Sequence, residues 1–138
     1  VTNQSPINRG LWSSSNLSMI HDRMCQLLLQ GDADAHLDLI LYSPYAPWEG
    51  AWARKPFPGM LEAGRQLIDA ASTDPSMEGL QLKYGDEWVD RPDESTSVMV
   101  GDRGVDMSAA TRFGVHGVLC LGRDGIAGVI DSILEGSD

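Results

Sequence analysis

The stretch Ser97-Val98-Met99-Val100-Gly101-Asp102-Arg103-Gly104-Val105-Asp106 decides the fold predicted for this chain. Its first four residues are mostly apolar and include two β-branched valines, a pattern typical of a strand that is covered on both faces. Gly101 allows a tight turn where the strand stops, and a helical pattern follows up to Gly114. Asp102 is therefore predicted at the carboxyl end of a sheet strand, where open α/β sheets bind their ligands.

Two roles are open for Asp102 from this stretch alone. A carboxylate at a strand-to-helix junction is suited to hold a hard cation such as Mg2+, and Asp106 supplies a second carboxylate in the following turn. An aspartate at such a junction also commonly caps the helix by accepting a hydrogen bond from a backbone N–H group of the first turn. The choice between metal ligand and helix cap depends on residues elsewhere in the chain.

Strands and helices alternate along most of the chain. Further strands are predicted at residues 1–2, 37–42 and 115–121, helices after Ser13, after Pro58 and over residues 126–134, and a loop over residues 6–10. The alternation predicts a parallel sheet with helices on both faces, in a single domain that spans residues 1–138. Because the chain begins with Val1 at what looks like a strand end, we expect a fragment that lacks an earlier strand.

Residues 72–96 interrupt this alternation. The segment is largely acidic and contains turn-forming pairs such as Asp74-Pro75 and Gly85-Asp86. We expect an acidic insertion into the domain, with a short hairpin over residues 80–89 as one interpretation. Whether the insertion is ordered or a flexible loop is open.

Composition restricts the class of ligand. The formal net charge is -10 and the isoelectric point is about 4.5, which argues against a groove for a nucleic-acid backbone and against anionic membrane surfaces. No apolar run approaches the roughly 18 residues of a membrane-spanning helix. Cys25 and Cys120 fall within a helical and a strand pattern, so we expect buried thiols rather than a disulfide, in a reducing, cytoplasmic setting.

Two further groups of polar residues are predicted beside strand ends. Thr2-Asn3-Gln4-Ser5 offers hydroxyls, amides and backbone N–H groups that can surround a phosphoryl oxygen, and Arg9 is a further anion contact. Arg54-Lys55 precedes Pro56, which keeps the backbone before it extended, and two adjacent cations in such a loop can grip an anionic substrate. The alternatives are ordinary turn chemistry for the first group and solvated side chains for the second.

In this order, the three stretches resemble the haloacid dehalogenase (HAD) superfamily of phosphohydrolases. The string Arg54-Lys55-Pro56-Phe57-Pro58-Gly59-Met60 is similar, more narrowly, to the histidinol-phosphatase and D-glycero-D-manno-heptose-1,7-bisphosphate phosphatase group. The resemblance implies a three-layer α/β/α Rossmann-like fold. It also implies Mg2+-dependent hydrolysis of a small phosphorylated metabolite, a sugar phosphate or bisphosphate, through an aspartyl-phosphate. A receiver-like fold also places aspartates at strand ends, but it gives the Arg-Lys-Pro string no role.

The resemblance assigns roles to individual residues. It implies that Thr2 and Lys55 are the catalytic phosphate-binding hydroxyl and lysine, that Asp102 is the Mg2+ ligand, and that Asp106 supports the metal site directly or through water. It further implies a substrate-binding surface made of Thr2, Asn3, Gln4, Ser5, Arg54, Lys55 and Arg103. In such a site Mg2+, the Lys55 ammonium and the Thr2 hydroxyl would offset the charge of the phosphoryl group in the transition state.

The attacking aspartate of the family is the first departure from the pattern. It belongs to an Asp-x-Asp motif on the first strand, which would have to precede Val1 in this sequence. Asp32-Ala33-Asp34 has the right spacing, but it follows the end of a helix and precedes a strand. Either the chain is a truncated part of an enzyme, with its nucleophile-bearing strand missing, or the protein is a non-catalytic HAD-like binding module.

Zinc is the second departure. Many heptose-bisphosphate phosphatases carry a structural Cys/His zinc loop just before the Arg-Lys-Pro string. The matching positions here hold no thiolate or imidazole, because they are Ser43, Tyr45, Ala51 and Ala53. We therefore expect no zinc in this loop.

Overall fold

The computed structural model describes residues 1–135 of the chain. In chain order its elements are β1 (Thr2–Asn3), α1 (Ser5–Asn8), α2 (Ser14–Gly31), β2 (Tyr42–Ser43), α3 (Gly59–Thr73), β3 (Val98–Gly101), α4 (Gly104–Phe113), β4 (His116–Leu119) and α5 (Ile130–Glu135). Short 3-10 turns lie at Pro47–Glu49, Gly85–Glu87 and Gly125–Val129. Helices thus alternate with strands as the sequence predicts.

The strands form two separate parallel pairs among the described residues. β1 pairs with β2, with Thr2 opposite Tyr42, and β3 pairs with β4, with Val98 opposite His116. An apolar cleft of about 300 Å3 is lined by side chains from both pairs, Val1 and Leu41 on one side and Val98 and Met99 on the other. The parallel α/β architecture is therefore confirmed, in the form of two separate two-stranded sheets that both contribute side chains to this cleft.

The β3–α4–β4 unit contains the densest packing. Met99, Ala109 and Ala110 form a buried cluster, against which Leu61 of α3 and Val115 pack. Gly101 is required here, because a Cβ atom at this position would overlap the side chain of Asp106. Gly114 ends α4 in the left-handed conformation at φ 95°, and its N–H bonds the carbonyl of Ala110. This unit holds the end of β3 in a fixed relation to the first turn of α4.

Helix α2 begins where predicted but remains largely uncovered. The Ser13 hydroxyl accepts a hydrogen bond from the N–H of Asn16, which caps the helix. Leu17 is buried, whereas the rest of the apolar stripe is 38 to 51% exposed, as seen for Ile20, Met24, Leu27 and Leu28. In the described part of the chain, the stripe of α2 is thus available for contact rather than part of the core.

Several local predictions were wrong. The strand expected over residues 37–42 is only the two residues of β2, since β1 offers just two partners for a ladder. The loop expected over residues 6–10 begins as helix α1, because Pro6 suits a first helical turn. Residues 72–96 contain no hairpin; residues 72–73 are the end of α3, and the remaining residues form only the 3-10 turn Gly85–Glu87.

The two thiols are unpaired but less buried than expected. Cys25 and Cys120, the only cysteines of the sequence, are free and half-buried. None of the helices within residues 1–135 is both long and apolar enough to cross a membrane.

Candidate functional site

All nine site residues that the sequence predicts line one cleft at the carboxyl ends of β1 and β3. The cleft has a volume of about 1000 Å3. We call its predicted members the strand-end rim: Thr2, Asn3, Gln4, Ser5, Arg54, Lys55, Asp102, Arg103 and Asp106. They meet because the carboxyl ends of parallel strands, and the loops that follow them, point to the same edge of a sheet.

Lys55 connects the two sheets at this rim. Its Nζ atom lies 2.6 Å from Oδ1 of Asp106 and donates to the carbonyl of Val1 at 3.2 Å. The backbone of Lys55 is held as well, because the Asn3 side chain donates to its carbonyl at 3.0 Å and accepts from its N–H at 3.1 Å. With 12% of its side chain exposed, the ammonium is fixed at the floor of the cleft.

The two aspartates of the motif differ in how their oxygens are used. Both Asp106 oxygens have partners, since Oδ1 pairs with Lys55 and Oδ2 accepts from the N–H of Arg103 at 3.0 Å. Asp106 is thereby the residue that caps the start of α4, and the cap interpretation of Asp102 is wrong. The side chain of Asp102 is 73% exposed, and its nearest charged partner, Arg103 Nε, is 4.0 Å away.

The opposite wall of the cleft is made by the chain that leaves β1. The side-chain amide of Gln4 donates to the Thr2 hydroxyl at 3.1 Å, which orients that hydroxyl. Ser5 is buried and accepts a hydrogen bond from Arg9 Nη2 at 2.9 Å. Trp12 also lines the cleft and was not predicted, because an isolated aromatic residue in a loop gives no signal in the sequence.

The charge balance of the cleft differs from that of the whole chain. Arg9, Arg54, Lys55 and Arg103 are basic, and only Asp102 and Asp106 are acidic, whereas the chain as a whole carries a net charge of -10. Arg54 is oriented through a hydrogen bond from Nη1 to the carbonyl of Tyr45 at 3.0 Å. The local excess of cations favours an anionic ligand in an otherwise acidic protein.

Asp102 suits a metal ion better than any other rim residue. Its carboxylate is free of strong partners, and Mg2+ in proteins is commonly held by one or two carboxylates together with water and phosphate oxygens. Within residues 1–135, three or more His, Cys, Asp or Glu side chains nowhere come together as a metal cluster. The donor set of the described residues is therefore suited to contribute the Asp102 carboxylate to such a site.

Comparison with known proteins identifies the family. The HAD-hydrolase-like family model matches residues 52–124. D-glycero-beta-D-manno-heptose-1,7-bisphosphate 7-phosphatase of Bordetella bronchiseptica is 42% identical over 73 residues, which cover 51% of this chain and 40% of that protein. D-glycero-D-manno-heptose-1,7-bisphosphate 7-phosphatase of Thermosynechococcus vestitus is 31% identical over 149 aligned residues, which cover 99% of this chain and 61% of that protein.

A solved structure supports the same assignment. The crystal structure of D,D-heptose 1,7-bisphosphate phosphatase from B. bronchiseptica, complexed with magnesium and phosphate, matches with a TM-score of 0.62 at 28% identity, over 94% of this chain and 59% of that one. The chain thus spans less than two thirds of the length of these relatives. The predicted HAD-type α/β fold is confirmed, and the receiver-like alternative is set aside. The chain belongs to the HAD-hydrolase-like family and resembles, within it, the heptose-bisphosphate phosphatases.

Proposed function

We propose that the complete protein containing these residues, here called the parent protein, is a Mg2+-dependent phosphomonoester hydrolase that acts on a small phosphorylated sugar. The observation that carries the proposal is the meeting of the Lys55 ammonium, the Thr2 hydroxyl and the free Asp102 carboxylate in one cleft. A hydrogen-bond donor, a fixed cation and a bound metal ion are the groups that stabilise the negative charge of a reacting phosphoryl group. The relatives named above act on a sugar bisphosphate, which supports this class of substrate.

Each rim residue has a defined task in this proposal. Thr2 donates its hydroxyl to a phosphoryl oxygen, with Gln4 orienting it, and Lys55 places a positive charge beside the oxygens that become more negative in the transition state. Asp106 holds the Lys55 ammonium in place, so it supports the site through Lys55 rather than as a free metal ligand. Asp102 would hold Mg2+, which supplies charge neutralisation of the phosphoryl oxygens.

The remaining residues of the strand-end rim would contact the part of the substrate beyond the reacting phosphate. Asn3, Ser5, Arg54 and Arg103 line the cleft around Lys55 and offer amide, hydroxyl and guanidinium groups. Hydrogen bonds to sugar hydroxyls and pairing with further anionic groups require these donors. No zinc ion is part of the proposal, because Ser43, Tyr45, Ala51 and Ala53 provide no thiolate or imidazole.

We propose that the attacking carboxylate of the parent protein lies upstream of this chain, on a strand between β1 and β3. An apolar cleft separates the two parallel sheets, and the relatives are longer than this chain. A strand seated there would end beside Thr2, Lys55 and Asp102. Its aspartate would attack the phosphorus while the bond to the sugar oxygen breaks, so that the sugar leaves as a protonated alcohol and an aspartyl-phosphate forms. Water would then hydrolyse the aspartyl-phosphate, which releases inorganic phosphate and restores the aspartate.

Turnover of a panel of sugar monophosphates and bisphosphates by the parent protein tests the proposal. We expect Mg2+-dependent release of inorganic phosphate that falls by about a thousandfold or more in Lys55→Met, since a fixed charge at the reacting phosphoryl group is lost. Lys83→Met is the matched control, because Lys83 is the only other lysine and its side chain has no polar partner in residues 1–135. Binding of phosphate and Mg2+ without any turnover would instead support the non-catalytic binding module.

A further inference from the structure

Glu62 is a fully buried carboxylate outside the strand-end rim. It lies in the first turn of α3, and none of its side chain is exposed. Oε1 accepts from Trp52 Nε1 at 2.8 Å, and Oε2 accepts from the N–H of Gly85 at 2.6 Å and from Arg91 Nη2 at 3.2 Å. We call these four residues the Glu62 cluster. A carboxylate is retained in such a place only when donors surround it, as they do here.

Trp52 connects this cluster to the loop that carries Arg54 and Lys55. The carbonyl of Trp52 accepts from the N–H of Gly59 at 3.1 Å, so residues 52–59 form a closed loop. The indole stacks on Phe57 with 5.3 Å between ring centroids, and a Cβ atom on Gly59 would overlap the Trp52 backbone. The closed loop is thus held on α3 by the indole N–H bond to Glu62, while Asn3 holds Lys55 from the opposite side.

Arg91 connects the same carboxylate to residues 72–96. Its Nε donates to the carbonyl of Trp88 at 3.1 Å, Nη2 donates to the carbonyl of Gly85 at 3.0 Å, and its guanidinium lies 4.6 Å from the centre of the Trp88 ring. Residues 85–91 therefore wrap around this guanidinium. The Glu62 carboxylate thus connects the closed loop of residues 52–59, helix α3 and residues 85–91.

We propose that Glu62 is a positioning residue for Lys55, acting through Trp52 and the closed loop of residues 52–59. The proposal rests on the proposed function only for its kinetic consequence, because Lys55 is the group whose placement determines stabilisation of the phosphoryl group. It also gives residues 72–96 a task, since Gly85 and Arg91 supply two of the three donors that fix Glu62. Residues 72–96 thereby help to hold the closed loop of residues 52–59 in place.

Hydrogen exchange in the parent protein tests the proposal without any substrate. In Glu62→Gln, a side-chain amide replaces one acceptor oxygen and faces donors that it cannot satisfy, so amides of residues 52–59 should exchange at least about tenfold faster. Amides of α4 should keep their protection. Trp52→Phe, which removes the indole N–H together with part of the ring, should produce the same local change while leaving the Glu62 carboxylate intact. Glu78→Gln, at an exposed glutamate of residues 72–96, is the matched control and should change neither region. Unchanged exchange in residues 52–59 in both cluster variants would overturn the proposal.

Kinetics separate a positioning role from a merely structural one. Displacement of Lys55 should lower kcat about tenfold or more in Glu62→Gln, with KM changed less than about twofold, because the lysine acts on the transition state. In the Lys55→Met background, Glu62→Gln should have no further effect on kcat. Additive losses of kcat would overturn the proposal. A parent protein that releases no phosphate from any substrate would contradict the proposed function, while the exchange experiment would still decide the role of Glu62.

Discussion

The strand-end rim and the Glu62 cluster both contain carboxylates and cations, but they use them in opposite ways. In the cluster, Glu62 is completely buried and has three donors, one of them the guanidinium of Arg91. In the rim, the side chains of Asp102 and Arg103 are 73% and 79% exposed, and 4.0 Å separates their nearest charged atoms. Polar groups whose hydrogen bonds are all made within the protein stabilise the fold. Asp102 and Arg103 are therefore left with bonding capacity for a ligand.

Lys55 and Asp106 lie between these two extremes. Their 2.6 Å pair, with side chains 12% and 5% exposed, is almost as buried as the Glu62 carboxylate, yet it lines the cleft of the rim. The pair therefore has a structural task and a functional one at once. Substitutions that affect stability and ligand binding to different extents test most directly whether the two groups of residues differ in this way.

Asp106→Ala is expected to have the largest effect on stability. It removes the partner of a buried ammonium and the acceptor for the N–H of Arg103, so the free energy of unfolding should fall by about 3–5 kcal/mol. Chemical denaturation of the parent protein measures this loss. Asp22→Ala, an exposed aspartate of α2, is the control and should stay within about 0.5 kcal/mol of the unchanged protein. A loss as small as that of the control would mean that the pair does not hold the two sheets together.

Gly59→Ala is expected to have an intermediate effect. The added methyl group would overlap the carbonyl of Trp52. Neither group can rotate away, because the methyl carbon and the carbonyl are attached directly to the backbone. The closed loop or α3 therefore has to shift, at a cost of about 1–3 kcal/mol. Gly64→Ala is the control within the same helix, because its nearest neighbour is a flexible leucine methyl at 3.5 Å. Equal stability of the two variants would show that the closed loop is not rigid.

Asp69→Ala is expected to have the smallest effect. Asp69 pairs with Arg65 at 3.1 Å on the surface of α3, and Arg65 retains a second partner, Glu94, at 3.2 Å. Partly exposed pairs of this kind contribute little, so the loss should be below about 0.5 kcal/mol by denaturation. A loss above about 1 kcal/mol would contradict the distinction between surface pairs and pairs with a buried carboxylate such as Glu62.

The sequence predicts β3 and α4 well because their determinants are local. Two valines favour a covered strand, Gly101 leaves space for the side chain of Asp106, and Gly114 stops the helix. The convergence of Thr2, Lys55 and Asp102 also follows, since each lies just after a strand or in a strand-to-helix loop. Strand lengths were predicted less well, because the length of β2 depends on how many partners β1 offers and not on its own residues.

The use of the two buried carboxylates could not be predicted. Asp106 pairs with Lys55, which is distant in the sequence. Glu62 accepts hydrogen bonds from Gly85 and Arg91, which lie in a segment whose apolar residues show no helical or strand periodicity. A glutamate in an amphipathic helix is usually solvent-exposed, since charged residues are rarely buried without a partner. Only the tertiary structure reveals the partner. Residues 72–96, for which order and flexibility were both open, are held to α3 by these bonds and by Gln66.

A Mg2+ titration of the parent protein with Asp102→Asn is the most direct test of the central claim, that the end of β3 is a metal and phosphate site. We predict that the Mg2+ concentration for half-maximal phosphate release rises about tenfold or more, because a charged ligand is lost. The free energy of unfolding should change by less than about 0.5 kcal/mol, since Asp102 is exposed. Asp90→Asn, at an exposed aspartate within residues 72–96, is the control and should leave the titration unchanged. Superimposable titrations for Asp102→Asn and the unchanged protein would contradict the claim.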